Sequence, residues 1–358
     1  MTSSAFLLSR IALQFDQVSA DLINNISACV ISPGNYLWLG SDELTTIERL
    51  SSLESNRYGE HKTFAIADFI DLPDEEDEVD IEGMDYSHSY LWFTGSHSTK
   101  RKNAKGKNAE KDIQRLTEII SEANRYTIAR IPLVEGELLK SCNHPDKLHK
   151  ELTAATLQRT ESGNILIDAL QNDEHLGAFV ANPLPSKENG FDIEGLAVHR
   201  NKLFLGLRGP VLRGWAIILE IEVEDSGSGV LTLKPCNKSG QLYKKYFLNL
   251  DGLGIRELCL CGKDLLILAG PTMDLIGVNR VFRLKHILEE SDHNLFDQDN
   301  KRLEPLFDLP FNPKSDKAEG LALTSCLGQS SALLVMYDAP DAQRFFGADT
   351  VLADVFKL

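Results

Sequence analysis

Five segments of this chain repeat one frame, and that repetition restricts the fold more than any other feature of the sequence. Three are close copies: Asp80-Ile81-Glu82-Gly83-Met84, Asp192-Ile193-Glu194-Gly195-Leu196 and Lys317-Ala318-Glu319-Gly320-Leu321. Two are degenerate: Ile255-Arg256-Glu257-Leu258-Cys259, and Asn25-Ile26-Ser27-Ala28-Cys29, which has serine in place of glutamate. After each comes a polar turn and an apolar stretch that reads as a strand: Tyr36–Leu39, Tyr90–Phe93, Leu203–Leu207, Leu265–Leu268 and Ala332–Met336. From Ser27 through Glu319 the third positions step by 55, 112, 63 and 62 residues. Periods of that size fit four-stranded sheets that cannot bury both faces without a neighbour.

The expected fold is therefore all-β, a single β-propeller over residues 1–358. The double-length step either hides a blade or holds an insertion. Apolar positions in 110–123 and 164–179 follow helical spacing rather than alternation, which favours insertions near 97–122 and 160–181. Five blades result, with six the alternative. The stretch Ser9–Phe15 precedes the first motif, while the last unit runs out after Thr350–Lys357. Closure by pairing these two ends would leave no free sheet edge between the first and last units.

The net charge is −16 and the pI about 5.0, which speaks against nucleic acid, whose binding rests on a basic surface. No apolar run reaches the roughly 18 residues of a membrane helix. Met1–Phe15 lacks a basic start and is interrupted by Arg10, so no secretory signal is expected. With six cysteines in no metal-binding spacing, the reading is reduced thiols in a cytoplasmic protein. Cys142, His144 and His149 likewise fit no standard zinc site. The acidic run Asp74–Asp80 reads as a solvated loop or a cation-gathering rim. The basic run Lys100–Lys111 reads as a mobile loop or a lid for an anionic ligand.

In such a fold each unit brings two positions to one mouth of the central channel: the motif glutamate and the residues ending the next strand. The first set is Glu82, Glu194, Glu257 and Glu319. The second contains Ser41-Asp42-Glu43, Ser96-His97, Arg208, Pro271-Thr272 and Tyr337-Asp338. A ring of carboxylates either converges on a hard cation such as Ca²⁺ or is held apart as structural pins. The glycine after three of the glutamates suits a tight turn. Arg208 has the planar fork for a phosphate or carboxylate, or for a salt bridge to a motif glutamate. His97 is a candidate for proton transfer or metal ligation, or else a surface histidine capping a strand end, and Arg256 and Asp338 are candidates of similar rank, Asp338 for proton transfer. No G-x-S-x-G, P-loop, dinucleotide fingerprint or H-E-x-x-H is present.

The strings Gly190–Leu196, Gly206–Pro210, Leu253–Leu258 and Ala269–Thr272 resemble a bacterial family of unknown function over nearly the whole chain. That resemblance implies a propeller and no established activity. More distantly, the D-x-E-G-Leu unit is similar to that of esterase-like phytase propellers and of gluconolactonase and strictosidine-synthase-like propellers. There a channel-mouth glutamate can hold a divalent cation, so Glu82, Glu194, Glu257 and Glu319 are the implied ligands, with Ca²⁺ the first choice. The chain departs from the lactonases: Met84, Leu196 and Leu321 stand at or beside the place of a proline, and no matching asparagine ligand is found. Two functions are expected on this basis. One is a cation-assisted hydrolase of a phosphoester or lactone with a small anionic ligand, and the other a non-catalytic propeller binding a protein partner or small ligand.

Overall fold

The computed structural model describes residues 3–16, 20–75, 77–147, 150–182, 184–273 and 275–358. Each of the five repeats opens an antiparallel meander, and its motif lies on the first strand. The first unit runs Ile26–Ser32, Tyr36–Ser41, Thr46–Glu54, Arg57–Ala65. The second begins Ile81–Ser87, Tyr90–Gly95, Ile128–Val134, and the third Asp192–His199, Lys202–Gly209, Trp215–Gly227. Gly254–Cys261, Asp264–Gly270, Arg280–Leu284 and Leu303–Asp308 form the fourth. The fifth has Lys317–Cys326, Gln329–Asp338 and Thr350–Lys357, and then the N-terminal Leu7–Gln14, which pairs antiparallel with Thr350–Lys357. The chain ends thus close one sheet together, as the sequence reading expects.

The five motif strands pack side by side in a closed cycle, the first against the second, and so on until the fifth meets the first. Alternate residues of each strand point to the two neighbouring sheets, so every gap between sheets has its own core. Trp38, Leu91 and Ile131 fill the gap between units one and two. Trp92, Leu205 and Ile217 fill the next. Phe204, Ile255 and Phe282 fill the third, Leu268, Val281 and Leu333 the fourth, and Leu13, Leu37 and Leu334 the last. This radial stacking about a central channel is the arrangement of a β-propeller.

Two features differ from a set of separate four-stranded sheets. At the rim Ala12 and Leu13 pair in parallel with Arg57 and Tyr58, which merges units five and one into a continuous eight-stranded sheet. Thr156 and Leu157 pair in parallel with Val230 and Leu231, which joins units two and three in the same way. The helical segments are also shorter than the periodicity suggests: Ala109–Arg115, Ile165–Leu170 and Gly177–Ala181. Both insertions nonetheless fall inside the double-length step. No helix among the described residues is long and apolar enough to cross a membrane.

Candidate functional site

The start of each motif strand and the end of the strand after it meet at one mouth of the channel, around a cavity of about 570 Å³. In four units one residue bulges out of register: Ser27 lies between the pairs Ile26–Ser41 and Ala28–Gly40, and Glu82 between Ile81–Gly95 and Gly83–Thr94. Glu194 and Arg256 occupy the same place in units three and four, and Glu319 falls in the corresponding irregularity of unit five. A bulge turns a side chain out of the sheet toward the channel. The ring therefore reads Ser27, Glu82, Glu194, Arg256, Glu319.

This corrects the frame of the fourth repeat by one residue. Ile255, not Arg256, is the counterpart of Ile193, and Glu257 takes the place of Gly195. Glu257 is fully buried away from the cavity, where its Oε1 accepts the backbone N–H groups of Leu196 (3.0 Å) and Leu258 (2.8 Å). Burial pushes its carboxyl well above the usual range despite those bonds. Glu257 is thus a pin between neighbouring inner strands and no cation ligand. The glycines of the motif also serve a different purpose from the expected turn. None has a positive φ, and a Cβ on Gly83 would stand 2.8 Å from the Leu196 nitrogen, one on Gly195 3.0 Å from that of Leu258. Glycine is required because the next inner strand passes too close for a side chain.

Of the other expected residues, Glu82, Glu194, Glu319, Arg208 and Asp338 line the cavity. His97 does not. It is 2% exposed, with a left-handed backbone, and its Nδ1–H donates to the Gly95 carbonyl at 2.8 Å. Its Nε2 accepts from Asn164 Nδ2 at 2.7 Å, and Asn164 also caps the helix Ile165–Leu170. Burial lowers the imidazole to about 4, so it stays neutral and ties the second insertion to the second unit. His149 lies outside the described residues, as does Glu76 of the acidic run.

The cavity floor is a lattice of buried ions. Arg208 meets Asp192 at 2.6 Å and also Glu194. Arg256 bridges Glu194 (2.7 Å) and Glu319 (2.8 Å). Arg125, from the end of the first insertion, meets Asp80 at 2.7 Å, Glu78 at 2.5 Å and Glu122 at 2.8 Å. Burial opposes the Arg208 charge, but Asp192 and Glu194 outweigh it and hold the guanidinium ionised. Carboxylates exceed cations here, and the excess gathers at Asp42, Asp80 and Glu82, which offer oxygens all within 4.8 Å of one another. Burial, then Glu319 and Asp80, push Asp42 up to about 8; burial raises Asp80 to about 6 against the pull of Arg125. Glu82 is driven well above its ordinary value by burial and by Asp80 and Glu194. Burial likewise lifts Asp192 and Glu319 to about 7, opposed by Arg208 and Arg256 respectively.

Sequence reasoning placed Asp42 near the mouth without choosing it, and overlooked Asp80, Asp192 and Arg125 as site residues. Asp80 and Asp192 carried a usable signal, since they open two of the repeat units. Arg125 carried none, because it reaches the floor from an insertion outside the repeat. Around the rim, Lys100 is tied to Glu78 (2.7 Å) and Glu122 (2.9 Å), so the basic segment is docked over the mouth at its start.

Several solved structures align along most of the chain at low similarity. A virginiamycin B lyase from Staphylococcus aureus is 10% identical, with 98% of this chain and 100% of that one covered and a TM-score of 0.37. The PQQ-bound aldose sugar dehydrogenase from Streptomyces coelicolor is 12% identical, with 98% and 99% covered and a TM-score of 0.39. A putative gluconolactonase is 11% identical, with 91% and 73% covered and a TM-score of 0.38. No curated protein matches the chain in sequence. One family model, described as "Protein of unknown function (DUF3616)", matches residues 25–354, and the chain belongs to that family.

Proposed function

We propose that this chain is a five-bladed propeller in one domain whose channel mouth binds a divalent cation and uses it to hydrolyse a small anionic ester, a phosphoester or a lactone. The observation that carries the reading is the group Asp42, Asp80 and Glu82. Its oxygens are close enough to share one ion, and Asp42 Oδ1 is buried without a hydrogen-bond partner. An all-carboxylate donor set suits a hard cation, Ca²⁺ before Mg²⁺ because Ca²⁺ accepts irregular oxygen cages while Mg²⁺ demands near-ideal octahedral ones. When bound, such an ion polarises the scissile group and lowers the pKa of a water. The residues of the chain supply the rest. Lys317, 59% exposed at its side chain and 3.0 Å from Asp338, faces the cavity to meet an anionic group. Asp338 beside it is placed to take a proton. Arg208 and Arg256 are already committed to carboxylates, so their role is to hold Glu194 and Glu319 in place rather than to clamp substrate.

A second reading, a binding module without catalysis, is favoured by one specific observation: Leu275, Ile276 and Phe311 line the same mouth at 61%, 73% and 50% exposure. Thermal melting in Ca²⁺, Mg²⁺, Mn²⁺ and chelator tests the first reading. A cation shift lost in Asp42→Asn and Glu82→Gln but kept in Glu257→Gln supports the site, and a panel of phosphoesters and lactones then tests the reaction. A cation shift with a blank panel favours the binding module, and no shift removes the cation from both.

A further inference from the structure

The opposite face of the molecule carries a cleft of about 750 Å³ between units two and three, at the turns where those units leave their inner strands. The inner strands there are 7 and 8 residues long, which sets this cleft roughly 20 Å from the acidic mouth. Its charge balance is the reverse of that mouth, five cationic side chains against the carboxylates of Glu151, Glu222 and Asp225. Arg200, Lys147 and Lys150 line it and make no ion pair among the described residues, in a chain whose net charge is −16. Arg130 lies on its floor, 4% exposed, with the guanidinium 4.3 Å above the Tyr90 ring and 5.6 Å from that of Trp92. Stacking of this kind fixes the plane of the fork while leaving its edge for an anion.

Arg130 is incompletely satisfied. Its Nη2 meets Asp225 at 2.5 Å, but its Nε–H is buried without an acceptor, as is the indole N–H of Trp92 beside it. Asp225 is itself 62% exposed at its side chain, so it can swing into water at small cost. We propose that this cleft is a second ligand site, for the phosphate group of a small phosphorylated molecule, with Arg130 as anchor and Asp225 as the carboxylate that the ligand displaces. A phosphate carries more charge than a carboxylate and three acceptor oxygens, and a guanidinium fork takes two of them at once. Arg200 and Lys150 complete the neutralisation from the rim. His88 and His199 also line the cleft, and both are held below their ordinary value by burial and by Arg200, His88 also by Lys147 and Lys150. They therefore report on any anion that settles among those cations.

The test is a titration with inorganic phosphate and with pyrophosphate in the presence of chelator, which silences the cation site at the other mouth. It is followed by NMR at the Trp92 indole N–H and the His88 and His199 rings. Saturable shifts are expected at all three, with both histidines titrating at higher pH in the bound form. Arg200→Ala with Lys150→Ala, both exposed and safe for folding, should weaken binding roughly tenfold, and Asp225→Asn should strengthen it. Glu82→Gln should bind pyrophosphate as the parent does, which separates this site from the mouth. The proposal is overturned if the folded protein shows no saturable shift. It is equally overturned if the double variant and Asp225→Asn bind as the parent does, or if only a polyanion such as heparin binds.

Discussion

A cation that needs Asp42 and Asp80 as carboxylates must compete with the protons they hold, and the structure gives the size of that competition. Burial and the neighbouring Glu319 and Asp80 push Asp42 up to about 8, and burial raises Asp80 to about 6 against Arg125. Between pH 6 and pH 8 the ionised fraction of Asp42 rises from ~1% to ~50%, and that of Asp80 from ~50% to ~99%. Asp42 alone makes this a change of about 50-fold, or about 2.3 kcal/mol of apparent affinity, and Asp80 adds in the same direction. Glu82, also raised by burial and by Asp80 and Glu194, steepens the same slope. Calorimetric titration of Ca²⁺ in two buffers of different ionisation enthalpy should therefore show about one proton or more released per ion at pH 7. Stability carries the same signature with a definite sign. These carboxyls have folded-state values above their unfolded ones, so from about pH 4 to pH 8 the native chain retains protons that the unfolded chain has lost. In chelator the melting temperature should fall as pH rises through that window, and saturating Ca²⁺ should restore it at the alkaline end. An affinity that changes less than about threefold between pH 6 and pH 8, with no buffer-dependent heat, would refute the assignment of these three residues.

Removing the guanidinium in Arg256→Met leaves Glu194 and Glu319 buried without their shared cation; a loss of about 3–5 kcal/mol in urea unfolding is expected. That loss should be smaller at pH 5 than at pH 8, because Glu319, at about 7, can accept a proton instead. Glu257→Gln keeps an acceptor for Leu196 and Leu258 and should stay within about 1 kcal/mol of the parent, whereas Glu257→Ala strands buried N–H groups at about 1–3 kcal/mol each. Neither change should alter cation affinity at the mouth. Gly195→Ala drives a methyl to 3.0 Å from the Leu258 nitrogen, a backbone atom that cannot step aside, and should cost roughly 1–3 kcal/mol by denaturant unfolding.

Much of the fold was legible because a propeller repeats its instructions. Each motif and the polar turn and strand after it marked the first two strands of a unit, and the unpaired character of 9–15 and 350–357 pointed to their mutual closure, which Leu7–Gln14 and Thr350–Lys357 make. The rim pairings of Ala12 with Arg57 and of Thr156 with Val230 left no trace in the sequence. They are two-residue parallel ladders set by how far the outer strands extend, and no local pattern encodes that reach. The helices at Ala109–Arg115 and Ile165–Leu170 were overestimated in length because apolar spacing continues past the point where the chain turns back onto the sheet.

The site was legible only in part, and the reason lies in what a motif frame can and cannot specify. Identity at the glutamate misaligned the fourth repeat, since Glu257 looks like its relatives but occupies the position where they have glycine. The structural constraint is the bulge, and the residue there in unit four is Arg256. That exchange of sign decides the chemistry of the mouth. With glutamate in all four places the floor would gather still more charge than Arg208 and Arg125 offset. With Arg256 between Glu194 and Glu319, one side of the ring is neutralised internally and becomes a rigid wall. The excess is thereby concentrated on the opposite side, where Arg125 pairs with Asp80, and Asp42 and Glu82 add two further carboxylates beside it. A repeat protein can make one asymmetric site from near-identical units by a single substitution of this kind, and the cation preference argued above follows from the side that Arg256 leaves uncompensated.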